Sequence, residues 1–297
     1  VEKGKIKGRY TIFGKKPDRI WEFNKNKCYI IKNKKKTKIN GLPGENIEKI
    51  IENFKFKIPS SLPKISSILA GYFSYDIIRY IERIPDNCKD DLGLPDARII
   101  RPKVLIIHDN LEKKIFYIYN CFADEKILNY EKKYSEILKE LEFNIFQSRL
   151  NINKVTKKVK IGKIKSNISK KKFMNNVQKA KEYIKIGDIF QVVISQRFET
   201  KLTKDPLEIY KKLRITNPSP FMYFFNFKNF QIIGASPEIL VRLRDNEITI
   251  RPIAGTRPRG KTLSEDRYNE LDLLKDEKEL SEHLMLLDLG RNDAGKV

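Results

Sequence analysis

Residues 221–227, 230–235, 240–244 and 247–252 each read as a short strand, and too little chain separates them for a helix in any connection. Strands joined this way pair antiparallel, so this region is a meander and not a run of βαβ units. Asp245-Asn246 supplies the turn before the last strand. Helical patterns flank the meander, which places the chain in the α/β class with antiparallel pairing. Ser169 is a natural N-cap, Phe173, Val177, Ala180 and Ile184 recur at helical spacing, and Gly187 closes that helix. The run "IFQVVISQRF" then alternates like a strand, with Phe190, Val192, Ile194 and Phe198 on one face and Gln191, Val193, Ser195 and Arg197 on the other. Asp205-Pro206 opens a second helix that ends before "TNPSP", and residues 268–289 read as a third.

The first ~120 residues read as mixed α/β by period and turn signals. Strands are expected at 9–13, 28–31, 70–74, 103–108 and 114–121, with Asp109-Asn110 turning the chain between the last two. A helix with dispersed charges is expected at 124–141. The polar, basic stretch 144–172 reads as a linker or long loop, although 155–164 partly alternates and suits an edge strand. The expected organisation is therefore residues 1–143, a basic segment 144–168, and residues 169–297. No internal repeat is found.

With 40% hydrophobic residues among 297, the chain can build one large core or two modest ones. No apolar run is long enough to span a bilayer, and no signal-peptide pattern occurs in these residues. The chain opens at Val1 inside charged sequence and stops at Val297 after "GRNDAGKV", so it is expected to be part of a longer polypeptide. Cys28, Cys88 and Cys121 share no metal-ligand spacing, which points to free thiols in a reducing cytoplasm. The net charge of +23 raises nucleic acid as a partner. Its lysines are spread along nearly every segment and belong to no recognition-helix or RNA-binding motif, so a solvated basic surface is the reading, able to steer an acidic metabolite.

Four places carry groups with chemistry. "RPIAGTRPRG", residues 251–260, sets three arginines around Gly255-Thr256. A glycine lets backbone approach a ligand, and an amide with a hydroxyl can hold a carboxylate; a tight basic turn is the plainer alternative. Glu279 and Glu282 stand at i, i+3 on one helix face, a pair that Mg²⁺ takes while keeping waters for substrate oxygens; a solvated acidic face is the alternative. Glu238, in "GASPEIL", lies at the bend between two apolar strands, where an apolar setting would favour the acid form that a general acid needs; a surface turn is the alternative. Gln191 is a neutral amide that can orient a ligand and cannot serve as a base; it also suits an ordinary half-buried strand position.

Taken in order, "GDIFQVVISQRF", "TNPSPFMYFF", "GASPEIL", "RPIAGTRPRG" and "KELSEHLMLLDLGRND" resemble the chorismate-utilising enzymes, and within that group component I of anthranilate synthase. The upstream pieces "KGRYTIFG", "GYFSYDIIRYIERIP" and "LGLPDARIIRPKVLIIHDN" fit the same subunit's N-terminal region. The resemblance implies antiparallel sheets packed in a sandwich flanked by helices. It implies that Gly255 and Thr256 contact chorismate, that Glu282 binds Mg²⁺ with Glu279 close by, and that Glu238 protonates the departing C4 hydroxyl. Ammonia would add at C2, and loss of pyruvate would give anthranilate.

Relatives that add water carry a lysine where Gln191 stands, since water needs a base and ammonia does not. Aminodeoxychorismate synthase, the nearest rival, typically carries a nucleophilic lysine where Ala254 stands. The resemblance further implies a glutamine amidotransferase subunit as the ammonia source and tryptophan as a feedback inhibitor at Asn217, Ser219, Pro220, Phe221 and Met222. The family's Leu-Leu-Glu-Ser segment, which completes that pocket, would precede Val1. Its second Mg²⁺ carboxylate, a histidine, and the Tyr and Arg that hold the pyruvyl carboxylate would follow Val297. No turnover is therefore expected from these 297 residues alone. A remnant that only binds tryptophan or its partner, and a basic nucleic-acid-binding protein, are the readings of other classes.

Overall fold

A computed structural model describes residues 8–122, 129–150, 162–203 and 205–297. Its first half contains β1 (Tyr10–Asn24), β2 (Lys27–Lys32), β3 (Lys35–Ile39), α1 (Pro43–Asn53), β4 (Ala70–Phe73), a 3₁₀ helix (Tyr75–Tyr80), β5 (Ala97–Asp109) and β6 (Lys114–Tyr119). All the ladders are antiparallel, in the order β3-β2-β1-β5-β4, with β6 on the far half of the β5 edge that β4 occupies. The spine is the β1–β5 pair, in register from Tyr10↔Asp109 to Phe23↔Ala97 with an irregularity between Pro17 and Arg19. The sequence suggests only 9–13 for the first strand, because Gly14-Lys15-Lys16-Pro17-Asp18 carries turn chemistry. The fold absorbs that chemistry as a bulge, with Lys16 at φ 52°.

Alternation along these two strands gives the sheet two working faces. Trp21, Phe23, Ala97 and Ile99 form a core with Cys28 and with Ile50 of α1. The opposite face carries a row across three strands, since Glu22 pairs in register with Arg98, and Arg98 with Tyr72. Arg98 is buried and bonded to Glu22, which Lys36 also holds. Burial pushes the Glu22 carboxyl up, but Lys36 and Arg98 more than offset it and keep its pKa below the ordinary value.

The chain continues with α2 (Tyr130–Leu150), β7 (Lys165–Ser166), α3 (Lys170–Lys185), β8 (Phe198–Glu199), α4 (Pro206–Thr216), β9 (Phe221–Asn226), β10 (Gln231–Ser236), β11 (Arg242–Arg244), β12 (Glu247–Thr249), α5 (Leu263–Lys275) and α6 (Glu277–Ala294). Helix α2 runs through Leu150, into the stretch read as linker, and Glu140 on it pairs with Lys15 and Lys16 at the β1 bulge. The expected helix start at 124–128 and most of the possible edge strand at 155–164 lie outside the described residues.

Local chemistry sets the helix ends. Ser169 Oγ accepts from Lys172 N at 3.2 Å, Gly187 (φ 83°) closes α3, and Asp205 caps α4 ahead of Pro206. Two expectations need correction. Residues 189–197 form no ladder; only Phe198–Glu199 pairs, with Lys165–Ser166, because the alternating run has no strand beside it among the described residues. The meander is also two separate hairpins, β9–β10 and β11–β12, with no ladder between β10 and β11.

The halves meet at the tip of β9–β10. Arg98 Nη1 donates to the Phe227 carbonyl at 3.4 Å, its guanidinium lies over the Phe227 and Phe230 rings, and Tyr72 packs against both. No helix of the described residues is long and apolar enough to cross a membrane.

Candidate active site

The sequence suggests one helix at 268–289; the structure has two, hinged at Asp276. That residue ends α5 and caps α6, accepting from the amides of Lys278 (3.1 Å) and Glu279 (3.2 Å). The signal was present, since Asp276 followed by Glu279 three residues later marks a helix start. The consequence is positional. Glu279 lies in the first turn of α6, where the helix dipole favours a carboxylate, and Glu282 lies one turn on along the same face.

Two distant segments close on this acidic turn. Gln191 Nε2 donates to Glu282 Oε1 at 3.2 Å across 91 residues of sequence. Gly255 lies against Glu279 so closely that a Cβ there would fall 2.5 Å from Glu279 Oε2 and 2.9 Å from its Cβ. The glycine is thus required by the approach of the helix, whatever else its amide does.

The basic residues beside it are engaged as well. Arg257 Nε and Nη2 donate to Asp272 of α5 and to Asp276, both at 2.6 Å; Nη1 donates to the Thr256 carbonyl at 3.3 Å and lies 4.0 Å from Glu279 Oε1. Those hydrogen bonds raise the Arg257 pKa further. Arg257, with the Glu279 amide, holds the Asp276 carboxyl below its ordinary range. Arg259 pairs with Asp266, which also accepts from the Gly260 amide. Two of the stretch's three arginines therefore bind its own acidic helices, a role the sequence reading missed.

What remains available beside Gly255 is backbone and the exposed Thr256 hydroxyl, which has no hydrogen-bond partner among the described residues. Ala254, half-buried, adds no reactive group. Gln191 and Thr256 are exposed, while Gly255, Glu279 and Glu282 are half-buried, so the cluster is open to solvent.

Glu238 is not drawn into this cluster by any contact among the described residues. It follows β10 in a Ser-Pro-Glu turn tied by Ser236 Oγ, which donates to the Glu238 carbonyl at 3.1 Å. Its side chain is exposed, not enclosed by the apolar sheet as the sequence suggests. Of the five residues expected to hold tryptophan, Asn217 ends α4, Ser219 is buried, Pro220 and Met222 are half-buried, and Phe221 begins β9 opposite Ser236. A cavity of about 190 Å³ lies elsewhere, between the first sheet and α1, lined by Trp21, Ile39, Ile50 and Phe54 among others.

Among the described residues no three His, Cys, Asp or Glu side chains gather as a metal cage. Two carboxylates one turn apart on a helix face are nevertheless donors of the kind that Mg²⁺ takes while keeping most of its waters, so the chemistry of Glu279 and Glu282 fits the ion.

Residues 9–297 match the model of a family described as chorismate binding enzyme. "Anthranilate synthase component 1" of Cereibacter sphaeroides is 42% identical over 308 residues, and that of Acetivibrio thermocellus 41% over 303. Each alignment takes in 100% of this chain, which spans 61% of the length of either relative. The crystal structure of anthranilate synthase component I from Streptococcus pneumoniae superposes with a TM-score of 0.82 at 32% identity, over 100% of this chain and 64% of that one. Antiparallel sheets with flanking helices agree with that match along the chain: it belongs to the chorismate-binding enzyme family.

Proposed function

We propose that these residues form the chorismate- and Mg²⁺-binding part of an anthranilate synthase large subunit that works in the cytoplasm. The observation that carries the reading is the hydrogen bond from Gln191 to Glu282, which puts a neutral amide beside a carboxylate of metal-binding type. Glu279 and Glu282 would hold Mg²⁺, which neutralises the substrate carboxylate and the charge that grows as the hydroxyl departs.

The chain's own groups do the rest. The Gly255 amide and Thr256 hydroxyl hold a substrate carboxylate. Gln191, its NH₂ committed to Glu282, offers Oε1 to an N–H of ammonia and so aims the nitrogen lone pair at C2. Glu238 gives its proton to the C4 hydroxyl, which leaves as water; loss of the C2 proton and of the C3 enolpyruvyl group as pyruvate then aromatises the ring. Ammonia comes from a glutamine amidotransferase subunit. Residues 1–143 form the regulatory side and 169–297 the substrate side, with tryptophan held by Asn217, Ser219, Pro220, Phe221 and Met222. Ala254 supplies no amine for a covalent intermediate, which favours this reading over aminodeoxychorismate synthase.

The test is a chimera in which this chain replaces the matching part of the Acetivibrio thermocellus relative, assayed with chorismate, ammonium and Mg²⁺. Anthranilate fluorescence is expected, lost in Glu282→Gln and Glu238→Gln, while the 297 residues alone give none. A folded chimera that releases aminodeoxychorismate or isochorismate, or leaves chorismate unchanged, contradicts the proposal.

A further inference from the structure

We propose that Arg257 is a positioning residue whose guanidinium fork sets the geometry of the Glu279–Glu282 pair. The inference rests on the reading of those two carboxylates as Mg²⁺ ligands. One end of the fork holds Asp272 near the end of α5, and the other holds Asp276, the residue whose carboxylate caps α6. The same side chain binds the carbonyl of Thr256. Three pieces are thereby locked together: the Gly255-Thr256 step, the hinge between the helices, and the first turn of α6.

Glu279 is the side chain this lock presents. It faces the Gly255 backbone on one side and Arg257 Nη1, 4.0 Å away, on the other. Arginine suits the task because its planar fork spans two carboxylates at once, whereas a lysine ammonium is a single flexible point charge. Residues that orient metal ligands without touching the metal typically change its affinity 10- to 100-fold.

Charge alone predicts the opposite sign, since a guanidinium 4.0 Å from Glu279 repels an incoming cation and its removal should tighten metal binding. That difference makes the proposal testable without turnover. Mn²⁺ binding to the chimera with the Acetivibrio thermocellus relative is followed by electron paramagnetic resonance, with thermal melts to check that each variant is folded. Arg257→Gln is expected to weaken Mn²⁺ roughly tenfold or more, and Arg257→Lys to weaken it nearly as much although the charge is kept.

Lysine is also the variant that keeps the test decisive if glutamine prevents folding. Unchanged or tighter Mn²⁺ binding in folded Arg257→Lys overturns the positioning role while leaving the metal site standing. A chimera with Arg257 in place that takes up no Mn²⁺, or whose uptake survives Glu282→Gln, overturns the metal reading itself, and the positioning role with it.

Discussion

Gly255 has Glu279 where a side chain would go. The near contact is with the Glu279 Cβ as well as its carboxylate, so swinging the side chain away relieves only part of the overlap. Gly255→Ala should therefore cost about 1–3 kcal/mol of stability through overpacking and push α6 off the loop. Thermal unfolding measures the first effect, and a weakened Mn²⁺ titration the second. Normal stability and unchanged Mn²⁺ affinity would show that the loop and helix are not in this contact. The neighbouring residues divide the labour differently. Arg257 and Arg259 serve the acidic helices, which leaves the Gly255 amide and the Thr256 hydroxyl for the proposed substrate contact. Sequence alone marks this stretch as unusual but does not say which arginines are spent internally, because their partners Asp266, Asp272 and Asp276 look like ordinary surface acids on a helix.

At the scale of elements, the β9–β10 hairpin links the two halves. Its tip is held by Arg98 and Tyr72 of the first sheet, while its open end carries Phe221 opposite Ser236, two residues before Glu238. Arg98→Ala should cost about 3 kcal/mol, because it strands part of the Glu22 charge inside the sheet and strips the guanidinium from the faces of two aromatic rings. Unfolding followed by the fluorescence of Trp21, the chain's single tryptophan and part of the first-sheet core, measures that loss. A change within a few tenths of a kcal/mol would mean that the row does not hold the hairpin.

Elements whose limits depend on local chemistry were legible in the sequence: the Ser169 and Asp205 caps, the Gly187 stop, and the Asp245-Asn246 turn with both residues at positive φ. Elements that depend on a neighbour were not. The run around Gln191 has a strand's alternation and no ladder, and it leaves Phe190 88% and Val193 86% exposed. β1 passes through a turn-like sequence because the long β5 strand holds it on the far side. Of the candidate site, Gln191, Gly255, Glu279 and Glu282 could be chosen from residue chemistry and motif order. The hinge at Asp276 that brings the last two into place is signalled only by the Asp276–Glu279 spacing, which a continuous helical pattern on both sides overrides.

Across the molecule, burial is uneven. The first sheet buries Phe23, Leu105 and Ile107 completely, whereas none of the residues of α3, α4, α5 or α6 is buried, and Leu240 and Leu263 stand about 90% exposed. Residues 169–297 therefore leave many large apolar side chains exposed. The most direct test is a calorimetric titration of the chimera with chorismate in the absence of ammonium, run with Mg²⁺ and with the metal chelated. The account predicts binding that needs Mg²⁺ and disappears in Glu282→Gln; binding indifferent to both, or none at any concentration of metal, would contradict it.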